Sequence, residues 1–123
     1  MSTIIASNIS DGTTSVASTY VVNGSAKAWV NFDGTGTVAI RDSLNVSSIT
    51  DTSTGNYTVN FTAAMTDVNF VCGVFGHDTV SGPTAIKTQS YRYASAAAQP
   101  VNATNAAGTS FVDLNQIHVA VFR

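Results

Sequence analysis

SAKAWVNFDGTGTVAIRDSLNVSSITDTSTGNYTVNF, residues 25–61, is the stretch whose reading decides the fold of this chain. Ala28, Val30 and Phe32 alternate with Lys27, Trp29 and Asn31, the period-two pattern of a half-buried strand. Asp33-Gly34-Thr35-Gly36 follows, and Asp-Gly between apolar runs signals a hairpin. Thr37 to Arg41 reads as the return strand, Asp42-Ser43 as a bend, and Leu44 to Ile49 as a third strand. Asp51-Thr-Ser-Thr-Gly55 is a loop, after which Tyr57, Val59 and Phe61 alternate with Asn56, Thr58 and Asn60. The third and fourth strands are expected to pair as a hairpin. The stretch contains no helical period.

Outward from this block the same grammar continues. Asn69 to Phe75 is almost wholly apolar and predicts a strand buried on both faces. Gly76 to Pro83 reads as a loop and Thr84 to Tyr93 as a strand. Ala94 to Gly108, rich in Ala, Asn and Gln and interrupted by Pro100, predicts a surface loop or partner-facing segment. Ile117, Val119 and Val121 alternate on a closing strand. Short strands with turns every eight to twelve residues predict an all-β, single-domain antiparallel β-sandwich or jelly-roll-like barrel. Residues 25–123 are expected to form that domain. Residues 1–24, with Ile4, Ile5, Val21 and Val22 and a DGTTS turn, are expected to form an N-terminal arm.

Composition agrees. Charged residues make up only 10% of 123, and all seven acids are Asp; without Glu the chain lacks a favoured helix former. A net charge of −2 with five scattered basic residues cannot track a phosphate backbone, so no nucleic-acid partner is expected. No apolar stretch approaches the ~18 residues of a membrane span, and MSTIIASNISDG lacks the basic and apolar regions of a secretory leader. The single Cys72 excludes an intrachain disulfide and reads as a buried small apolar residue. A small β-domain this poor in charge is expected to gain stability by burial against copies of itself.

Candidate chemistry is sparse. His77-Asp78 and the distant His118 come with no nucleophile elbow, and frequent serines alone do not make a triad. One Cys and two His lack zinc spacing. Asp33-Gly-Thr-Gly and Asp51-Thr-Ser-Thr-Gly resemble calcium loops superficially but lack the alternating acids and the closing Glu, so turn chemistry is the better reading. No catalytic residue, metal or cofactor is expected, and the chain is not expected to be an enzyme. Trp29, on the more polar face of its strand, either packs at a subunit interface or sandwich edge or stacks on a sugar, with packing favoured. Tyr91-Arg92-Tyr93 poses the same choice between a core pair with an exposed Arg and a glycan or partner contact.

The runs KAWVNF (27–32), GTGTVAIR (34–41), NVSSITD (45–51) and YTVNF (57–61) resemble, in the same order, a module of bacteriophage tail-fibre and other virion structural proteins. The resemblance covers Val21 to Phe61, and more loosely Met65 to Phe70 and Ile117 to Arg123. It implies a virion part, assembled in the host cytoplasm and forming a homotrimer, with other phage tail or capsid proteins as partners. With only residues 1–24 ahead of the module and no fibre shaft among them, it implies a short tail fibre, a tail-tip component or a capsid decoration (cement) protein. Contact with a host surface glycan follows in the fibre case. A carbohydrate-binding module using Trp29, Tyr91 and Tyr93 as platforms is the alternative from a different class. On the virion reading the arm orders on a neighbouring subunit, or on the tail or capsid, while the 76–83 and 94–108 segments face outward.

Overall fold

A computed structural model of the chain describes residues 1–77, 87–90 and 95–123. Ten strands and one helix are described, in the order β1 (Asn8–Ser10), β2 (Ser15–Ala17), α1 (Ser18–Gly24), β3 (Ala26–Asp33), β4 (Ala39–Leu44), β5 (Val46–Ser53), β6 (Asn56–Phe61), β7 (Val71–His77), β8 (Lys87–Ser90), β9 (Ala98–Thr104) and β10 (Gln116–Phe122). The last eight build two antiparallel sheets of four, ordered β4-β3-β10-β7 and β5-β6-β9-β8. The sheets approach each other at β4 and β5 on one side and at β7 and β8 on the other. This is an open sandwich rather than a barrel.

The core follows from the alternation. Ala28, Val30 and Phe32 of β3 and Ile117, Val119 and Val121 of β10 project from the first sheet; Tyr57, Val59 and Phe61 of β6 and Val101 and Ala103 of β9 project from the second. All are buried, with Val46, Met65 and Leu114 closing the ends. Phe32 meets Tyr57 edge-on across the two layers, ring centroids 5.3 Å apart. No residue of 1–24 contributes to this core.

The turn at Asp33-Gly34 joins β3 to β4 as the sequence predicts, with the Asp33 carboxylate accepting the Thr35 N–H at 2.9 Å. Gly34 N–H bonds Leu114 O, and a Cβ on Gly34 would lie 2.5 Å from the Tyr57 hydroxyl, so no larger residue fits. The bend expected at Asp42-Ser43 falls instead at Asn45, the one described non-glycine residue with positive φ (55°). Asparagine tolerates that conformation better than most residues. Its amide donates to Lys27 O and Ala63 O, both at 3.1 Å, and its oxygen accepts the Ala63 N–H, pinning the passage from the first sheet to the second.

Two expectations are corrected. Ala94–Gly108 is not a loop: β9 occupies Ala98–Thr104 and lies between β6 and β8 inside the second sheet. Val101 and Ala103 face the core, and pairing on both edges overrides weak strand propensity. The 69–75 run is not buried on both faces: β7 is the outer strand of its sheet, and Phe75 and Val71 are 65% and 70% exposed. Most of the 76–83 loop, the 91–93 tripeptide and Ile86 lie outside the described residues.

Candidate interaction surface

The residues of β3 that do not enter the core form the outer face of the first sheet. Register fixes its rows. Leu44, Trp29, Ala120 and Gly73 lie side by side across β4, β3, β10 and β7. Asp42, Asn31, His118 and Phe75 make the next row, and Phe122 pairs with Val71 at one end. Trp29 is therefore on an interior strand, facing out, and not at a sandwich edge. A Cβ on Gly73 would sit 3.2 Å from the Phe75 ring, so that ring leans over Gly73 on the outside of the sheet. Of the small residues in that row, Gly73 lies under the Phe75 ring and Ala120 lies between it and Trp29.

This face is apolar and open. Leu44 is 49% exposed beside the exposed Val71, Phe75 and Phe122. On the two inner strands and β7 its outward positions carry no Asp, Lys or Arg apart from Lys27 and Asp33 at the ends of β3. Scattered exposed apolar residues are ordinary, but a contiguous group on one sheet face marks an interaction surface. At its centre the Asn31 amide oxygen is shielded from solvent and has no hydrogen-bond partner.

Residues 1–24 are the second open apolar surface. β1 and β2 pair as a small hairpin, with Ile9 opposite Val16. Its turn is held by the Asp11 carboxylate, which accepts the Thr13 and Thr14 N–H groups at 2.9 and 2.7 Å. Those backbone bonds, Thr14 first, hold the Asp11 carboxyl below the ordinary value. The TYVVNG run is helical: α1 spans Ser18–Gly24 and places Val21 and Val22 on its surface. Ala17 provides no side-chain cap, the first turn has no acid, and no residue of α1 is buried. Ile4 and Ile5 are almost fully exposed ahead of the hairpin. The last turn is tied to the domain by Lys27, whose ammonium donates to Val22 O, Ser25 O and Ser25 Oγ. A cation at that end suits both the free carbonyls and the helix dipole.

Among the described residues no group of three His, Cys, Asp or Glu converges as a metal site. His77 ends β7 and His118 sits mid-strand on β10; register sets His118 opposite Phe75 and His77 opposite Gln116. A cleft of about 310 Å³ is lined by Lys27, Asn45, Ala63, Met65 and Arg123 among others. Three of its polar side chains are engaged: Lys27 with α1, Asn45 with Lys27 O and Ala63, and Arg123 with Asp67. Cys72 faces inward on β7, half-buried, and burial pushes its thiol up to about 11.

Comparison with protein-family models, with curated proteins and with solved structures finds no match. The surface is therefore judged on its own geometry. Of the residues singled out from sequence, the structure places Trp29 on the open face and Ile4, Ile5, Val21 and Val22 on the arm; Tyr91, Arg92 and Tyr93 lie outside the described residues. Sequence reasoning missed Leu44, Val71, Phe75 and Phe122. A signal for two of them was present: in 71–76 both Val71, Gly73, Phe75 and Cys72, Val74, Gly76 are free of charge. That pattern belongs equally to a doubly buried strand and to one with a face covered from outside.

Proposed function

We propose that this chain is a structural subunit of a bacteriophage virion, a short tail fibre or tail-tip component that assembles as a homotrimer. The observation that carries the assembly reading is the apolar group on the outer face of the β4-β3-β10-β7 sheet, the exposed Leu44, Phe75, Val71 and Phe122 and the half-buried Trp29, with Ala120 between Trp29 and Phe75. The resemblance of residues 27–61 to virion modules supports the phage setting. The work of such a subunit is shape and adhesion: a rigid sandwich presents loops and an apolar sheet face, and binding energy comes from buried area rather than from a reacting group. Capsid decoration uses the same chemistry at another place on the particle, and host glycan contact is a further role for a tail-tip subunit.

Two measurements test the proposal. Sedimentation of the purified chain is expected to give three times its 12.7 kDa mass at micromolar concentration, and a monodisperse monomer would contradict the assembly reading. An antibody raised against the chain is expected to decorate the tail end of purified virions in electron micrographs. Label on the capsid shell would move the assignment to decoration, and absence of the chain from purified particles would reject the virion role.

A further inference from the structure

We infer that the two open apolar surfaces belong together in the assembly: the arm of one copy covers the outer β4-β3-β10-β7 face of the next. The inference rests on the assembly reading above and adds which surfaces meet.

The arm cannot be self-sufficient. Its hairpin has strands of three residues, and an isolated two-stranded hairpin is at best marginal in water. Its helix has seven residues, β-branched Val21 and Val22, no N-cap bond and nothing buried, so propensity alone does not hold it. Ile9 and Val16, opposite each other, are 48% and 42% exposed. Whatever orders this segment must cover those side chains from outside.

What covers them must also be uncharged. Residues 1–24 contain one charged side chain, Asp11, held in the turn by its own backbone. A basic or acidic partner would bring unpaired charge into a neutral contact, whereas interface cores exclude charge. The outer sheet face comes nearest to the requirement: its Trp29, Ala120, Gly73 row and Phe75 are uncharged, its charges Lys27, Asp33 and Asp42 lie at the ends of β3 and on the outer strand β4, and it is present on every copy in the same number as the arm. Among the described residues no segment of the same chain covers either surface. Lys27 clamps the end of α1 beside the start of β3, and from there both the arm and the face remain open.

The sizes agree. Four strands about 4.8 Å apart make a face about 15 Å wide between outer strands. A two-stranded hairpin with the seven residues ahead of it, up to about 23 Å when extended, spans that width. The donor and acceptor surfaces differ, so arm and face can meet head to tail, the arrangement that builds a three-copy ring when the rotation closes; reciprocal exchange between two copies would give a dimer instead.

Full-length chains in a Cys72→Ala background test this. One carries Val16→Cys on the arm, the other Phe75→Cys on the face, each with its own affinity tag, and the two are co-expressed and mildly oxidised. The expected product is a disulfide joining the two differently tagged chains, with little arm–arm or face–face product when either is expressed alone. A dominant Phe75→Cys homodimer would show two faces packed together and overturn arm exchange. A chain carrying both substitutions that closes on itself as a monomer would also overturn it. Sedimentation of the same samples separates failures: an oligomer of normal mass without the mixed disulfide rejects the arm-to-face contact and leaves the assembly reading standing. A monomer that binds a glycan array, with binding lost in Phe75→Ser, rejects both and turns the outer face into a saccharide site.

Discussion

The Tyr57 hydroxyl lies 2.7 Å from a carboxylate oxygen of Asp113, and that same oxygen accepts the buried Gly55 N–H at 2.7 Å. Gly34 O is a second acceptor for the phenol at 3.0 Å. One end of the sandwich is thus closed by a polar knot joining β6, the 33–36 turn and the segment before β10. Burial first, and then the bond to Asp113, push the phenol far up from its ordinary value, so Tyr57 remains a protonated donor throughout the working range.

Tyr57→Phe removes that donor while Asp113 keeps the Gly55 N–H. Hydrogen bonds to charged groups contribute about 1.5–3 kcal/mol, and a loss of that size is expected in urea unfolding at neutral pH. Asp113→Ala strands both the Gly55 N–H and the phenol and is expected to cost more than Tyr57→Phe. The reverse order would show that the carboxylate does not organise the knot.

Three glycines are expected to separate strain from collision. Gly36 has φ 59° with open space around it, so Gly36→Ala should cost only the left-handed penalty of about 1–2 kcal/mol. Gly55 has φ 65°, and a Cβ there would lie 2.6 Å from Ala103 O and 2.7 Å from Val112 N, so Gly55→Ala should cost clearly more. Gly34→Ala collides with the Tyr57 hydroxyl without a left-handed penalty; pairing it with Tyr57→Phe should recover part of the loss. Additivity of that pair in thermal melts would argue against the contact.

Acid should weaken the fold through Asp33 and Asp67. Asp33 is held below its ordinary value chiefly by the Thr35 hydroxyl, and Asp67 chiefly by Arg123, whose Nε donates to it at 3.0 Å. A carboxyl whose folded pKa is depressed contributes its full stability above the unfolded value of about 3.9 and loses it as pH falls through the lower folded value. Stability measured from pH 7 downward should therefore hold until about pH 4 and then decline. Asp33→Asn and Asp67→Asn should flatten that decline, modestly, because both groups are solvent-exposed. An unchanged acid limb in the double variant would remove these two groups from the account.

The Cys72 thiol is expected to be sluggish. With its pKa raised to about 11 from a reference of 9.0, the thiolate at pH 7 is about a hundredfold scarcer than in a free cysteine. Because the less acidic thiolate is also the stronger nucleophile, alkylation of the native chain should be slower by about tenfold and should reach the free-thiol rate in denaturant. Rapid native labelling would mean that β7 detaches from β10 far more often than its ladder suggests.

The strands legible in sequence were those in which one face is apolar and the other polar. β3, β6 and β10 alternate cleanly, and Phe32, Val59 and Val119 sit in the core as that alternation requires. β9 was illegible because its apolar content is only Val101, Ala103 and Ala98, and because Pro100 argues against an interior strand. The structure nonetheless sets Pro100 inside the β6–β9 ladder, opposite Thr58. The open face was half-legible. Trp29 stood out by its residue type, but its neighbours Leu44, Phe75 and Ala120 come from strands distant in sequence, and only the pairing register brings them beside it.

That register also governs timing. β3 and β7 are separated in their sheet by β10, and the row from Trp29 to Gly73 is bridged by Ala120. A chain synthesised only through β7 has Trp29 and Phe75 but no floor between them, and two strands with no ladder to join them. The outer face proposed as the contact between copies comes into being when β10 inserts, a step that joins residues far apart in sequence and is slow for that reason. On that proposal a half-made chain lacks the completed patch, and association waits until the sandwich has closed.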